Sequence, residues 1–164
     1  MTRHLLSARD PVRMALPDEA ATIRLGQALS ALVQPGDAVL LSGPLGAGKS
    51  CLSRALIRAL TSEDEEVPSP TFTLVQTYEA TRGDEAFGLA HLDLYRIEDP
   101  DEVAELGLED LLEDGVVLIE WPQRLGPHIP SNCLIITLAP EGEGRLASLR
   151  ASGSWEGREF DDLG

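Results

Sequence analysis

The segment Gly43-Pro44-Leu45-Gly46-Ala47-Gly48-Lys49-Ser50 constrains this chain more than any other. It fits the pattern G-x-x-x-x-G-K-S/T, in which every fixed position has a physical task. The glycines let the backbone curl until successive N–H groups point inward at phosphate oxygens. A helix opening at the end of the loop adds the partial positive charge of its N-terminus. Lys49 brings a full charge to the outer phosphates, and the Ser50 hydroxyl can ligate magnesium. Such a loop works between a buried strand and a helix, and the flanking residues supply both. Ala38-Val39-Leu40-Leu41 is a continuous apolar run, as expected of a parallel strand covered on both faces. Beyond the loop, Leu52, Ala55, Leu56, Ala59 and Leu60 recur at helical spacing. The expectation is a nucleoside triphosphate site, with ATP and magnesium as the ligands.

The rest of the chain reads as one α/β domain over residues 1–164, with a core at about 14–150. Leu16-Pro17-Asp18 reads as the end of a first short strand, with Asp18 capping a helix whose apolar face carries Ala21, Leu25, Ala28, Leu29 and Leu32. Gln34-Pro35-Gly36 stops that helix. The prolines of Val67-Pro68-Ser69-Pro70 force extended or turning backbone. Phe72 to Tyr78 and Phe87 to Tyr95 read as two strands joined by a turn at Thr81-Arg82-Gly83-Asp84. Asp99-Pro100-Asp101-Glu102 opens a short helix, with acids at the positive end of its dipole. Val116 to Ile119, Cys133 to Leu138 and Arg145 to Arg150 complete the strands. Ser154 to Gly164 is weakly patterned and reads as a mobile tail. These elements predict a three-layer P-loop fold, with a mostly parallel core sheet and antiparallel additions.

Charge excludes some partners. Thirteen basic residues against 28 acidic ones leave a net charge of −15. A surface this acidic repels polyanions, so direct binding to DNA, free RNA or anionic lipid is not expected. No apolar run reaches the ~20 residues of a membrane-spanning helix, and the N-terminal residues do not read as a secretion signal. The expected location is the cytoplasm. There the two cysteines, Cys51 and Cys133, read as reduced packing residues.

Three further segments bear on chemistry. Glu120 ends the apolar run Val116–Ile119, and the carboxyl end of a core strand is where a P-loop enzyme holds its magnesium. In His91-Leu92-Asp93-Leu94-Tyr95-Arg96, alternation places His91, Asp93 and Tyr95 on one strand face. Asp93 is thus a second candidate for placing metal or water, whereas His91 alone reads as structural. Ser69-Pro70-Thr71-Phe72 is a stiff hydroxyl-bearing turn, suited equally to phosphate sensing and to plain strand entry. No Asn-Lys-x-Asp segment for reading guanine occurs, and no arginine-rich lid of the small-molecule kinase kind.

In their order, Leu16-Pro17-Asp18-Glu19, the Gly43–Ser50 loop, Ser69-Pro70-Thr71-Phe72-Thr73-Leu74-Val75, His91 to Arg96 and Ile119-Glu120-Trp121-Pro122 resemble the TsaE (YjeE) family over residues 14 to 150. The resemblance implies an ATPase of the bacterial tRNA threonylcarbamoyladenosine pathway, working with TsaD and TsaB. TsaD transfers the threonylcarbamoyl group to adenosine 37 of tRNAs reading codons that begin with A, so tRNA is met only through the complex. The resemblance further implies catalytic roles for Lys49, Asp93, Glu120 and Thr71, and metal contacts from Ser50, Glu120 and Asp93. Nucleotide contacts are implied for Glu19, for Gly43, Pro44, Leu45, Gly46, Ala47, Gly48, Lys49, Ser50 and Cys51, and for Trp121 and Gly144. Arg145 is a looser match beside Gly144. Two positions depart from the family pattern: Pro44 stands where an acid is usual, and Ser50 where threonine is. Pro44 cannot donate an N–H to phosphate, but Ser50 keeps the hydroxyl. The nine acids between Glu98 and Asp114 suit docking on a basic partner surface. A small-molecule kinase and a nucleotide-gated binding module are the alternative functions.

Overall fold

The structure, a computed structural model, describes residues 3–70 and 73–161. In chain order its elements are β1 (Arg3–Leu5), β2 (Val12–Leu16), α1 (Glu19–Ser30), β3 (Ala38–Ser42), α2 (Lys49–Leu60), β4 (Val75–Arg82), β5 (Glu85–Asp93), α3 (Leu108–Asp114), β6 (Gly115–Glu120), β7 (Cys133–Glu141), β8 (Gly144–Ser152) and β9 (Glu159–Asp161). Short 3-10 turns at Pro100–Leu106 and Pro122–His128 flank β6 in sequence. Among the described residues no helix is long and apolar enough to cross a membrane.

Seven strands form one sheet in the order β2-β8-β7-β3-β6-β5-β4. The four central strands run parallel, through the pairs β7–β3, β3–β6 and β6–β5. The outer pairs β4–β5, β7–β8 and β2–β8 are antiparallel. This is the expected P-loop architecture, and burial on both faces explains the unbroken apolar runs of β3 and β6. One face carries Val39, Leu41, Leu89, Val116 and Leu118 against α1 and α2. The other carries Leu40, Leu92, Val117 and Ile119 against Val103, Leu108 and Leu125 of α3 and the 3-10 turns.

The entry to α1 follows the sequence closely. The Asp18 carboxylate accepts the Ala21 N–H at 2.8 Å, which satisfies one of the helix's unpaired donors. The strand ending at Leu16 is the second of the chain, however, since β1 precedes it and pairs with β9. In α2 the buried face includes Ser53 and Ile57, whereas Ala59 is exposed. The helix packs on both the sheet and α1, so its buried arc is wider than one stripe.

Both strands of the β4–β5 hairpin lie closer to the turn than predicted: β4 ends later and β5 begins earlier. Arg82 pairs with Glu85, so only Gly83 and Asp84 form the turn and both strands run up to it. Asp93 closes β5, and Tyr95 lies beyond the strand with 47% of its surface exposed.

The weak pattern after Ser154 conceals packed residues within 154–161. Trp155 is fully buried. Arg158 donates at 2.5 Å to Asp37 and at 3.1 Å to the Leu32 carbonyl, while the Ser154 hydroxyl meets Asp37 at 3.0 Å. One indole and one ion pair anchor this stretch without periodicity, which is why the sequence does not display it. Residues 162–164 lie outside the described part.

Candidate nucleotide-binding site

The site sits where β3, β5 and β6 end side by side. Leu41 and Glu120 are partners across β3 and β6, and Asp93 and Glu120 across β5 and β6. Parallel register therefore points Asp93 and Glu120 out of the same sheet face, the one on which α2 packs. The chain leaves β3 through the glycine-rich loop and enters α2 at Lys49. Gly48, with φ of 104°, is the residue that lets it turn. The glycine-rich loop and the start of a 12-residue helix thus share a cavity with two carboxylates.

A cavity of about 360 Å³ opens between them. Leu45, Gly46, Gly48, Lys49 and Ser50 line its loop side. Asp93, Glu120, Trp121, Ser69 and Arg145 complete its lining. Lys49 is almost fully buried, and its ammonium donates to the Gly43 carbonyl at 2.6 Å and sits 3.7 Å from the centre of the Trp121 ring. Burial pushes the Lys49 ammonium below its ordinary value, opposed by the charges of Glu120 and Asp93. Tyr95 packs on Trp121, with ring centres 5.0 Å apart. Asp93 accepts the Tyr95 N–H at 3.0 Å, and Glu120 meets His91 at 2.6 Å.

Most of the residues singled out in the sequence converge here, but not all. Gly43 contributes its carbonyl to Lys49, and Ala47 is buried beneath the loop. Pro44 is exposed and accepts the Ala47 N–H at 3.2 Å. Glu19 and Cys51 line a separate cavity of about 480 Å³ between α1 and α2, with Arg54 and Arg58. Gly144 is not part of the phosphate cavity: a Cβ there would lie 2.5 Å from the Leu16 carbonyl, so its smallness serves the approach of β2 to β8. Its neighbour Arg145 takes the place at the cavity. The guanidinium covers Gly48 and donates to the Thr22 hydroxyl at 2.9 Å. A lone arginine after a glycine carries little signal in a sequence, since its partners lie on α1 and in the loop. Thr71 lies outside the described residues.

Among the described residues no three His, Cys, Asp or Glu side chains form a self-contained cation site. That suits magnesium, which is commonly held by one or two carboxylates together with substrate phosphates and water. Ser50, Asp93 and Glu120 are oxygen-bearing side chains that line one cavity.

Strand, glycine-rich loop and helix, with two acids at the ends of neighbouring parallel strands, define a P-loop NTPase-like fold. Residues 16–147 match the family model described as Threonylcarbamoyl adenosine biosynthesis protein TsaE, and the chain belongs to that family. It is 42% identical over 135 residues to the tRNA threonylcarbamoyladenosine biosynthesis protein TsaE of Rickettsia conorii, covering 82% of this chain and 75% of that one. The protein of the same name from a Nostoc species is 38% identical over 149 residues, 88% of each chain. The crystal structure of Bacillus subtilis YdiB superposes with a TM-score of 0.69 at 25% identity, covering 88% of this chain and 87% of that one.

Proposed function

We propose that this protein is a magnesium-dependent ATPase. In this reading it acts with TsaD and TsaB in forming threonylcarbamoyladenosine at position 37 of tRNAs that read codons beginning with A. The observation that carries the reading is the convergence of Lys49, Ser50, Asp93 and Glu120 on one cavity at the start of α2.

The reaction is in-line attack of water on the γ-phosphate. The loop amides beyond Pro44 and the N-terminus of α2 hold the phosphates by their donors and dipole. Lys49 leaves its contact with Gly43 to meet the outer phosphate oxygens, where charge develops in the transition state. Ser50, Asp93 and Glu120 are the residues that would hold magnesium. Bound there, magnesium would supply positive charge against the phosphates. Trp121 lines the site and packs against Tyr95. The nine acids from Glu98 to Asp114 present a surface for a basic region of a protein partner, in keeping with a chain that does not grip tRNA itself.

The test is ATP turnover measured with and without TsaD–TsaB, alongside tRNA modification over many cycles. Phosphate should appear in water, and Glu120→Gln and Asp93→Asn should keep nucleotide binding while losing turnover. Phosphate accumulating on a metabolite would mean a kinase instead. Multiple-turnover modification by the two variants would reduce hydrolysis to a side reaction of a binding module.

A further inference from the structure

His91 and Glu120 form a buried pair at the edge of the nucleotide cavity. His91 Nε2 lies 2.6 Å from Glu120 Oε2, and both side chains are more than nine-tenths buried. His91 stands two residues before Asp93 on β5, so it shares the face of both carboxylates. Its other ring nitrogen, Nδ1, is buried with no hydrogen-bond partner among the described residues. A buried N–H without an acceptor is costly, more so than a bare lone pair in the same place. The neutral ring with its proton on Nε2 avoids that cost, since the proton is donated to the carboxylate and Nδ1 is left as a bare lone pair. Glu120 then has one oxygen engaged from behind, while its side chain still lines the cavity.

We infer that His91 is a positioning residue for Glu120: its Nε2–H holds Oε2, so that Oε1 alone is presented to the cation at the phosphates. The inference rests on the reading of Glu120 as a cation-holding residue. It makes Glu120 a one-oxygen ligand whose rotamer is set before nucleotide arrives. Partners that hold a ligand from behind commonly govern metal affinity as strongly as they govern activity. Sequence alternation leaves this histidine with a structural role, because its partner is contributed by another strand.

The test uses the full chain with a non-hydrolysable ATP analogue and manganese as the cation, read by electron paramagnetic resonance. His91→Phe keeps the ring volume and removes the donor, while His91→Gln places an amide N–H near the position of Nε2. Half-saturation by manganese should rise about tenfold or more in H91F and recover most of the way in H91Q. Analogue affinity measured in EDTA should match wild type in both. Unchanged manganese affinity in H91F overturns the inference. Equal losses in H91F and H91Q, or loss of analogue affinity in EDTA, assign His91 to general structure and overturn it as well. Glu120→Gln separates the two levels. If that variant retains wild-type manganese affinity, Glu120 does not hold the cation, and the underlying reading fails whatever His91 does.

Discussion

The Lys49 ammonium rests 3.7 Å above the Trp121 ring while donating a 2.6 Å hydrogen bond to the Gly43 carbonyl. Both contacts hold the lysine inside the loop. Trp121 is itself unusual, with φ of 61° at the end of β6, a conformation that costs a non-glycine residue energy. Its backbone turns the ring over the lysine, and Tyr95 packs on it. Lysine and indole therefore act as one wall of the site.

Removing that lysine should separate ligand binding from folding. Its hydrogen bond runs to a carbonyl only six residues away, so Lys49→Ala should leave the thermal midpoint within a few degrees of wild type. A charge-assisted hydrogen bond contributes about 1.5–3 kcal/mol, so ATP affinity should fall about 10- to 100-fold and turnover should vanish. Substantial hydrolysis by this variant, with partners present, would remove the loop from the mechanism.

Gly48 should tolerate no side chain. Its φ of 104° is strained for an L residue, and an added Cβ would lie 2.6 Å from the Arg145 guanidinium. Gly48→Ala should cost about 1–2 kcal/mol in backbone strain alone and push Arg145 off the loop. Urea unfolding and ATP titration read the two effects, and wild-type values in both would contradict the packing described.

Arg158 should matter far more than its place near the C-terminus suggests. Asp37 is 2% exposed, and Arg158 is its cationic partner. Arg158→Ala leaves the carboxylate with the Gln34 N–H and the Ser154 hydroxyl alone. Removing one partner of a buried pair costs about 3–5 kcal/mol, and denaturant unfolding should show a loss near the lower end. A change within ~0.5 kcal/mol, typical of surface sites, would mean that the segment does not brace the domain.

The two thiols should react very differently. Burial pushes the Cys133 thiol up, partly offset by the Ser152 hydroxyl, whereas Cys51 is only half-buried. A raised thiol carries less thiolate at any given pH, and thiolate is the reactive form. A disulfide reagent at mild alkaline pH should titrate Cys51 quickly and Cys133 only after unfolding. Two fast thiols in the native protein would contradict the burial of β7.

Much of this molecule is legible in its order of residues. The loop declares itself because phosphate binding demands glycine, lysine and a hydroxyl at set spacing, and the runs at Ala38 and Val116 declare core strands because two covered faces admit only apolar residues. Local chemistry likewise shows the Asp18 cap and Glu120 at the end of its strand. The β4–β5 register was not legible, because a tight turn at Gly83–Asp84 decides it rather than the alternation of the strands. Nor was the packing of Trp155 and Arg158, since the carboxylate that pairs with Arg158 is 121 residues away.

By itself the sequence determined the class of ligand site, the order of the elements and the two acids that face the loop, since each depends on neighbours along the chain. Only the tertiary structure decided that His91 belongs to Glu120, that Arg145 rather than Gly144 reaches the cavity, and that Glu19 and Cys51 line a different one. Those relations depend on which strands lie side by side, and strand order is settled by packing of the whole sheet rather than by any single segment.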